Sequence, residues 1–330
     1  MAKNTDKAIE VFSASVRSKE VDKVEIAEAR EVMQKLAQNP TPQNRYEIAS
    51  IVAYTVEDIV NQQTQFLDLF ADVKRVSPNE KAKFDVKLKG IQAFFCAKGS
   101  TVERSRIYRK SVTLDTEAIG ARPSVSFMDL AQGKVQFDEI VGDASYEMTN
   151  KIVGKVQSVL ATGLGAMSTP NYGSGAGVIK ATLDAQILAF RRLGMSVSLV
   201  GDYAVIAKLA ALTGFTAVTG TLQFDPSIIN EQNQNGFIGT YNGCSVIQLV
   251  NPFENGSFSS TILMPSMLYI VPSGAASMRP LKVAIESDIP PMDAINIDDR
   301  SYEMRLDKHF GSGLVFGDRA YMGAYKDTSL

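Results

Sequence analysis

Apolar positions recur every three or four residues through the first part of the chain. Val24, Ala27, Val32 and Leu36 stand at roughly helical spacing with Glu and Lys between them, and that helix is expected to stop at Asn39-Pro40, where "NPTPQ" reads as a hinge. Residues 1–39 are too polar for a core of their own, so this arm must pack on something else or stay mobile. A second stripe runs through Tyr46, Ile48, Ile51, Val52, Ile59, Val60, Phe66 and Leu67. The period then changes from helical to two. "KFDVKLKG" (83–90) alternates apolar and charged residues, which predicts a strand with one solvated face. "IQAFFCAKGST" and "RSRIYRKSVTLDTEA" continue the β character, so 74–126 reads as a long excursion of two or three strands.

After Pro123 the helical period returns. Phe137, Val141, Ala144, Met148, Ile152, Val156 and Val159 share one face, while Asp138, Glu139, Asp143 and Glu147 occupy much of the other. A helix from about 133 to 162 would be about 45 Å long, with Gly142 and Gly154 weakening it locally. "GLGAMSTPNYGSGAG" (163–177) reads as a small-residue loop. Beyond it come the helix "IKATLDAQILAFRRLG", the buried strand "MSVSLVG" and the helix "DYAVIAKLAALTG". Short strands follow, "FIGTY", "CSVIQLV", "SFSSTIL" and "MLYIVPS", punctuated by Asn235-Gly236, Asn242-Gly243 and Asn255-Gly256, strong hairpin signals. The final stretch, "LKVAIES…INIDDRSYEMRLDKHFGSGLVF", reads as more strand and carries Glu286, Asp288, Asp293, Asp298, Asp299, Glu303 and Asp307.

Gly236, Gly239 and Gly243 fall close together in "NGFIGTYNGCSVIQL", which raises phosphate binding. A P-loop needs a Lys after its last glycine and a helix beyond, so that backbone N–H groups and the ammonium meet the phosphates. Here Cys, Ser, Val and Ile follow Gly243, and a dinucleotide fingerprint fails on spacing and on the missing helix. These glycines are turns. The glycines at 173–177 lie between helices, Asn255-Gly256-Ser257 reads as a turn rather than a glycosylation site, and the acids at 293–307 lack the pattern of a calcium loop.

Composition narrows the classes further. The 330 residues are 45% hydrophobic and 21% charged with a net charge of −2, ordinary for a folded chain of about two lobes. No run approaches the roughly 18 apolar residues of a membrane span, and the first residues contain no apolar signal core. Cys96 and Cys244 read as buried reduced thiols, as expected of a protein made in a reducing cytoplasm. His309 is the single histidine, without partners for zinc and without a G-x-S-x-G serine, and is expected to be a surface or interface imidazole. No catalytic, cofactor-binding or metal-binding residue is assigned.

One asymmetry remains. Over 74–110, Lys74, Arg75, Lys81, Lys83, Lys87, Lys89, Lys98, Arg104, Arg106, Arg109 and Lys110 face only Glu80, Asp85 and Glu103. Nucleic acid would reward such cations, but stacking aromatics are few: Phe84, Phe94, Phe95 and Tyr108. A solvated charged strand is the plain alternative. An acidic protein surface is the third, and the chain offers two, the first half of the long helix and 286–307. A basic arm, acidic faces and near-zero net charge describe a molecule that binds copies of itself.

That order of parts resembles a tailed-bacteriophage major capsid protein of the Hong Kong 97 fold, over nearly the whole chain. The implied fold is α+β: residues 1–45 resemble an N-terminal arm, 46–73 a peripheral-domain helix, 74–126 the E-loop hairpin, and 127–178 the peripheral domain with its spine helix. Residues 179–275 resemble the axial domain and 276–330 the strands returning to the peripheral domain. The resemblance implies a virion shell protein assembled in the host bacterial cytoplasm. It would self-assemble into hexamers and pentamers of an icosahedral shell enclosing phage DNA, with E-loops lying across neighbours. Its partners would be further copies, a portal protein, packaged double-stranded DNA by non-specific contact and possible decoration proteins, with no membrane. The short arm is expected to be retained, which favours a separate scaffolding protein; no cross-linking Lys–Asn pair is assigned. On this reading Lys83, Lys87, Lys89, Arg104, Arg106 and Arg109 of one copy face Asp138, Glu139, Asp143 and Glu147 of the next. The alternatives are an encapsulin-like nanocompartment shell, a soluble α/β enzyme with a cleft between the 179–220 helices and the Asn-Gly hairpins, and a DNA-binding module.

Overall fold

Capping chemistry sets the first helices where the periodicity places them. A computed structural model describes residues 2–16, 22–64, 67–78, 80–91, 101, 104–217, 237–249, 251–254, 258–274, 276–287, 290–296 and 301–330. Helix α1 is Ala2–Val16 and α2 is Lys23–Gln38, the latter opened by Asp22, whose carboxylate accepts the Val24 N–H. Helix α3, Pro42–Gln63, begins with Thr41 as cap and Pro42 in its first turn, and the short α4 is Leu67–Phe70. The arm takes the first of its two expected options. It packs on its own chain, burying Ala8, Val11 and Phe12 of α1 and Ala29, Met33 and Ala37 of α2. Helix α3 is apolar on most of its circumference because α1, α2 and the long helix all lie against it.

The strands β1 (Ala71–Val76), β2 (Ala82–Lys89), β3 (Tyr108–Leu114), β4 (Glu117–Ala121) and β5 (Ser124–Ser126) follow, then α5 (Phe127–Ala131) and α6 (Phe137–Gly165). The 29 residues of α6 make it about 43 Å long. Among the described residues β2 and β3 alone form a separate two-stranded hairpin; β1, β4 and β5, all within the expected 74–126 excursion or at its edge, pair into a larger sheet.

The rest of the chain is β6 (Tyr172–Gly175), α7 (Lys180–Arg191), β7 (Val197–Gly201), α8 (Tyr203–Ala210), β8 (Phe215–Ala217), β9 (Phe237–Tyr241), β10 (Cys244–Gln248), β11 (Met267–Pro272), β12 (Leu281–Glu286), β13 (Met292–Ile295), β14 (Ser301–Leu314) and β15 (Gly323–Asp327). A six-stranded sheet runs β1-β12-β14-β13, with β4 and β5 also pairing β14. Its inner face, including Val283, Ile285, Met304, Leu306 and Phe310, joins α3 and α6 in the main core. A seven-stranded sheet runs β6-β15-β11-β7-β10-β9-β8. Alternation along β11 explains how both its faces are buried: Leu268 and Ile270 meet α7 and α8, while Met267, Tyr269 and Val271 join the core built on α6.

Three readings are corrected by this topology and one hairpin turn is borne out. "YGSG", read as loop, is a parallel edge strand on β15, where Gly173 leaves the room that Gln186 and Thr182 fill. Among its described residues "SFSSTIL" contributes only an isolated bridge, Phe253 to Thr261, because the Thr261 hydroxyl and the side-chain amide of Asn251 satisfy the Leu263 backbone instead. The last strand, β15, inserts between β6 and β11 of the seven-stranded sheet rather than returning to the six-stranded one. Asn242 and Gly243 form the turn joining β9 to β10, with φ of 47° and 74°, the left-handed conformations an Asn-Gly hairpin demands. The other two Asn-Gly turns, Cys96, Phe94 and Phe95 lie outside the described residues.

Candidate assembly surfaces

The hairpin is buried at its root. Ala82, Phe84 and Val86 point inward from β2 and are buried, Phe84 against Ala284, Val76 and Leu114. Two ammonium groups approach the Phe84 ring, Lys74 at 5.1 Å and Lys282 at 5.8 Å from its centroid. Lys282 is itself buried and held by Asp72 Oδ2 and Ser277 O, each at 2.9 Å. On the far side the Asp318 N–H donates to Lys87 O at 2.9 Å, and a Cβ on Gly317 would stand 2.6 Å from that same oxygen, so the chain can approach β2 only as glycine.

Outward, Lys83, Lys87 and Lys89 of β2 and Arg109 of β3 are exposed, as are Arg104 and Arg106 ahead of β3; among the described residues none of the six makes an ion pair. Lys87 lies directly opposite Arg109, an arrangement that destabilises an isolated ribbon. Beyond Val86 the apolar residues lose their cover: Leu88, Ile91, Ile107 and Tyr108 are 44%, 71%, 51% and 55% exposed. Sequence reasoning identified the cations and missed this apolar end, although "L" and "I" beside them were the available signal.

The acids are distributed less simply. Glu139 and Asp143 are exposed on α6, and Glu147 is half-buried. Asp138 is already engaged, accepting from Arg30 Nη2 of α2 at 2.7 Å, so the helix start is tied to the arm of its own chain. Among its described residues the 286–307 stretch does not present an open acidic face. Glu286 is buried and accepts from the Thr116 hydroxyl at 2.6 Å, Asp293 faces Arg45 at 3.6 Å, Glu303 pairs with Arg122, and Asp307 pairs with Arg305 at 2.7 Å. His309 is partly exposed with its Nδ1 3.6 Å from Glu286, and Asp288, Asp298 and Asp299 lie outside the described residues.

Where an enzyme would carry a cleft, between α7 and the Asn242-Gly243 turn, the polar groups satisfy one another. Tyr241 OH and Asn242 Nδ2 both donate to Asp184 Oδ1 at 2.9 Å, and Lys180 donates to Thr213 O at 2.7 Å. Burial, reinforced by the Asp184 carboxylate, pushes the Tyr241 hydroxyl well above the usual tyrosine range, so it stays a neutral donor. Cys244 is a buried free thiol, pushed up by burial as well. Among the described residues no group of His, Cys, Asp and Glu could hold a metal ion, and no helix is long and apolar enough to cross a membrane.

The family comparison runs along the same two-stranded hairpin, long helix and two larger sheets. Residues 1–326 match the family described as "SPbeta prophage-derived putative capsid protein YonB". The chain belongs to this capsid family. No curated protein sequence matches it. Among solved structures, the head of Helicobacter pylori bacteriophage KHP40 is similar at a TM-score of 0.52 and 13% identity, covering 79% of this chain and 90% of that one. A structure of Microbacterium phage Oxtober96 gives 0.51 and 12%, with the same coverage, 79% and 90%. The mature capsid of bacteriophage PhiM1 gives 0.50 and 13%, covering 79% and 86%. These likenesses place the capsid protein in the Hong Kong 97-like fold, and the prophage family favours a phage shell over the nanocompartment and enzyme alternatives.

Proposed function

We propose that this capsid protein forms hexamers and pentamers of an icosahedral shell around packaged double-stranded DNA, working by self-assembly and not by catalysis. The observation that carries the reading is the hairpin and the residues leading into β3: six exposed cations that make no ion pair among the described residues, beside apolar side chains that are left exposed. Lys83, Lys87, Lys89, Arg104, Arg106 and Arg109 of one copy face Glu139, Asp143 and Glu147 of its neighbour, with Asp138 a lesser contributor because Arg30 holds it. Exposed pairs contribute about 0–1 kcal/mol each, so they set register while Leu88, Ile91, Ile107 and Tyr108 supply apolar burial. Assembly takes place in the host bacterial cytoplasm, with a separate scaffolding protein, a portal and, where present, decoration proteins as partners.

Expression of the chain alone, followed by negative-stain electron microscopy and light scattering, tests this. Rings of five or six, tubes or closed shells are expected. A stable monomer that remains monomeric when a scaffolding protein from the same prophage is co-expressed would overturn it.

A further inference from the structure

Two side-chain amides grip consecutive residues of one strap. Residues 261–266 lead from the Phe253–Thr261 bridge into β11, and they lie between the seven-stranded sheet and α6. From the sheet side, Asn251 accepts the Leu263 N–H at 2.8 Å and donates to Leu263 O at 3.0 Å. Asn251 is anchored in turn to Asp202 at 2.6 Å, the residue that caps α8. From the α6 side, Gln157 accepts the Met264 N–H at 2.7 Å and donates to Met264 O at 3.3 Å. One turn earlier on α6, a Cβ on Gly154 would meet Ile262 Cγ2 at 3.6 Å, so strap and helix are in van der Waals contact there.

The surroundings of Gln157 are apolar apart from the buried Tyr269 hydroxyl beside it. It is 6% exposed and shares a small cavity of about 30 Å³ with Phe70, Val156, Leu160, Leu249 and Tyr269, where the sheet rests on the helix. Apolar burial is non-directional and lets packed layers slide over one another. A doubly hydrogen-bonded amide in that layer is directional, and buried polar groups of this kind can fix register at a cost in stability.

We propose that Gln157 is a positioning residue for shell geometry: it pins the strap to α6 and so fixes the angle between the seven-stranded sheet and the rest of the subunit. In a closed shell that angle enters every contact between copies, and a small error in it becomes an error in curvature. The inference rests on the shell reading and concerns the form of the assemblies rather than their existence.

The test compares Gln157→Leu and Gln157→Met with the wild type in the full chain, imaging assemblies and measuring thermal unfolding of the free subunit. Both variants leave the Met264 N–H and C=O without their amide partner, so they are expected to melt below the wild type yet still fold, and to assemble into shells of shifted or broadened diameter, or into tubes. A Gly154→Cys, Ile262→Cys pair in a Cys96→Ser background, oxidised to hold the strap on the helix, is expected to restore a uniform diameter to Gln157→Leu. Unchanged diameters in both variants would overturn the proposal. So would loss of folding in both, which would make Gln157 a stability residue. A wild type that forms no assemblies under any condition would count against the shell reading itself, a distinguishable failure.

Discussion

Lys308 and Glu57 form a buried ion pair between β14 and α3, and removing one charge should cost far more than removing both. Their side chains are 0% and 10% exposed, and Lys308 Nζ donates to Glu57 Oε1 at 2.9 Å. At an effective dielectric of about 20, the attraction across that distance is about 6 kcal/mol. Desolvating two ions costs several kcal/mol each, so the net value of the intact pair is near zero. The asymmetry lies in the single variants. Lys308→Met leaves the Glu57 carboxylate in an apolar layer without its ammonium, at a cost of about 3–5 kcal/mol, a large part of the roughly 5–15 kcal/mol that holds a typical domain. The double variant, Glu57→Met with Lys308→Met, removes both desolvation penalties and should fall within about 1–2 kcal/mol of the wild type.

Urea unfolding of the unassembled subunit measures this. The chain has 11 tyrosines and no tryptophan, so tyrosine fluorescence with far-ultraviolet circular dichroism is the suitable pair of probes. The double-mutant cycle should return a coupling of about 3 kcal/mol or more. A Lys308→Met cost below about 1 kcal/mol, or a double variant as unstable as the sum of the singles, would refute the reasoning, because either would mean that the pair is effectively solvated.

Three further outcomes are expected. Reversing Lys83, Lys87 and Arg109 together to Glu should stall assembly at free subunits or capsomers while leaving the melting temperature of the free subunit unchanged; normal shells by electron microscopy would remove the hairpin cations from the contact. Phe84→Ala should cost about 3–5 kcal/mol at the hairpin root, read as new protease cleavage within residues 82–114 while the rest of the chain stays resistant. Asp327 is fully buried, and although burial opposes its ionisation, hydrogen bonds from Lys208, Ser329 and the Gly177 N–H hold its carboxyl below the ordinary value of 3.8. Its contribution to stability is therefore complete above about pH 4 and lost as pH falls through the lowered value, and urea midpoints between pH 5 and 2 should fall less steeply in Asp327→Asn than in the wild type.

Elements with a strong period were legible, and those held by distant partners were not. "KFDVKLKG" announces β2 because its inward residues are apolar and its outward ones charged, and α6 announces itself over many turns. "YGSG" and "GAYKD" have no such pattern; they are strands because β15, from the end of the chain, inserts between β11 and β6, from its middle. The acids after residue 286 misled for the same reason. The cations of Asp293 and Glu303, Arg45 and Arg122, are far away in sequence, and a charge whose partner is remote looks solvated when only its neighbours are read. Lys308 shows the same effect at its strongest, standing in "RLDKHF" as an ordinary surface lysine while Glu57 waits on helix α3.

The hairpin ties these levels together. Its root is over-determined by Phe84, the two lysines at its ring, and a glycine that admits the 315–318 segment against β2. Its outer half carries opposed like charges and uncovered apolar side chains, each unfavourable for a monomer in water. A ribbon that needed only to be stable would distribute its core residues along its whole length. Concentrating them at the root fixes the direction in which the ribbon leaves the subunit, and leaves the energy of the outer half to be recovered from another copy. Phe84→Ala and the triple charge reversal separate these two roles: the first should weaken aim before contact, and the second should abolish contact with the aim intact.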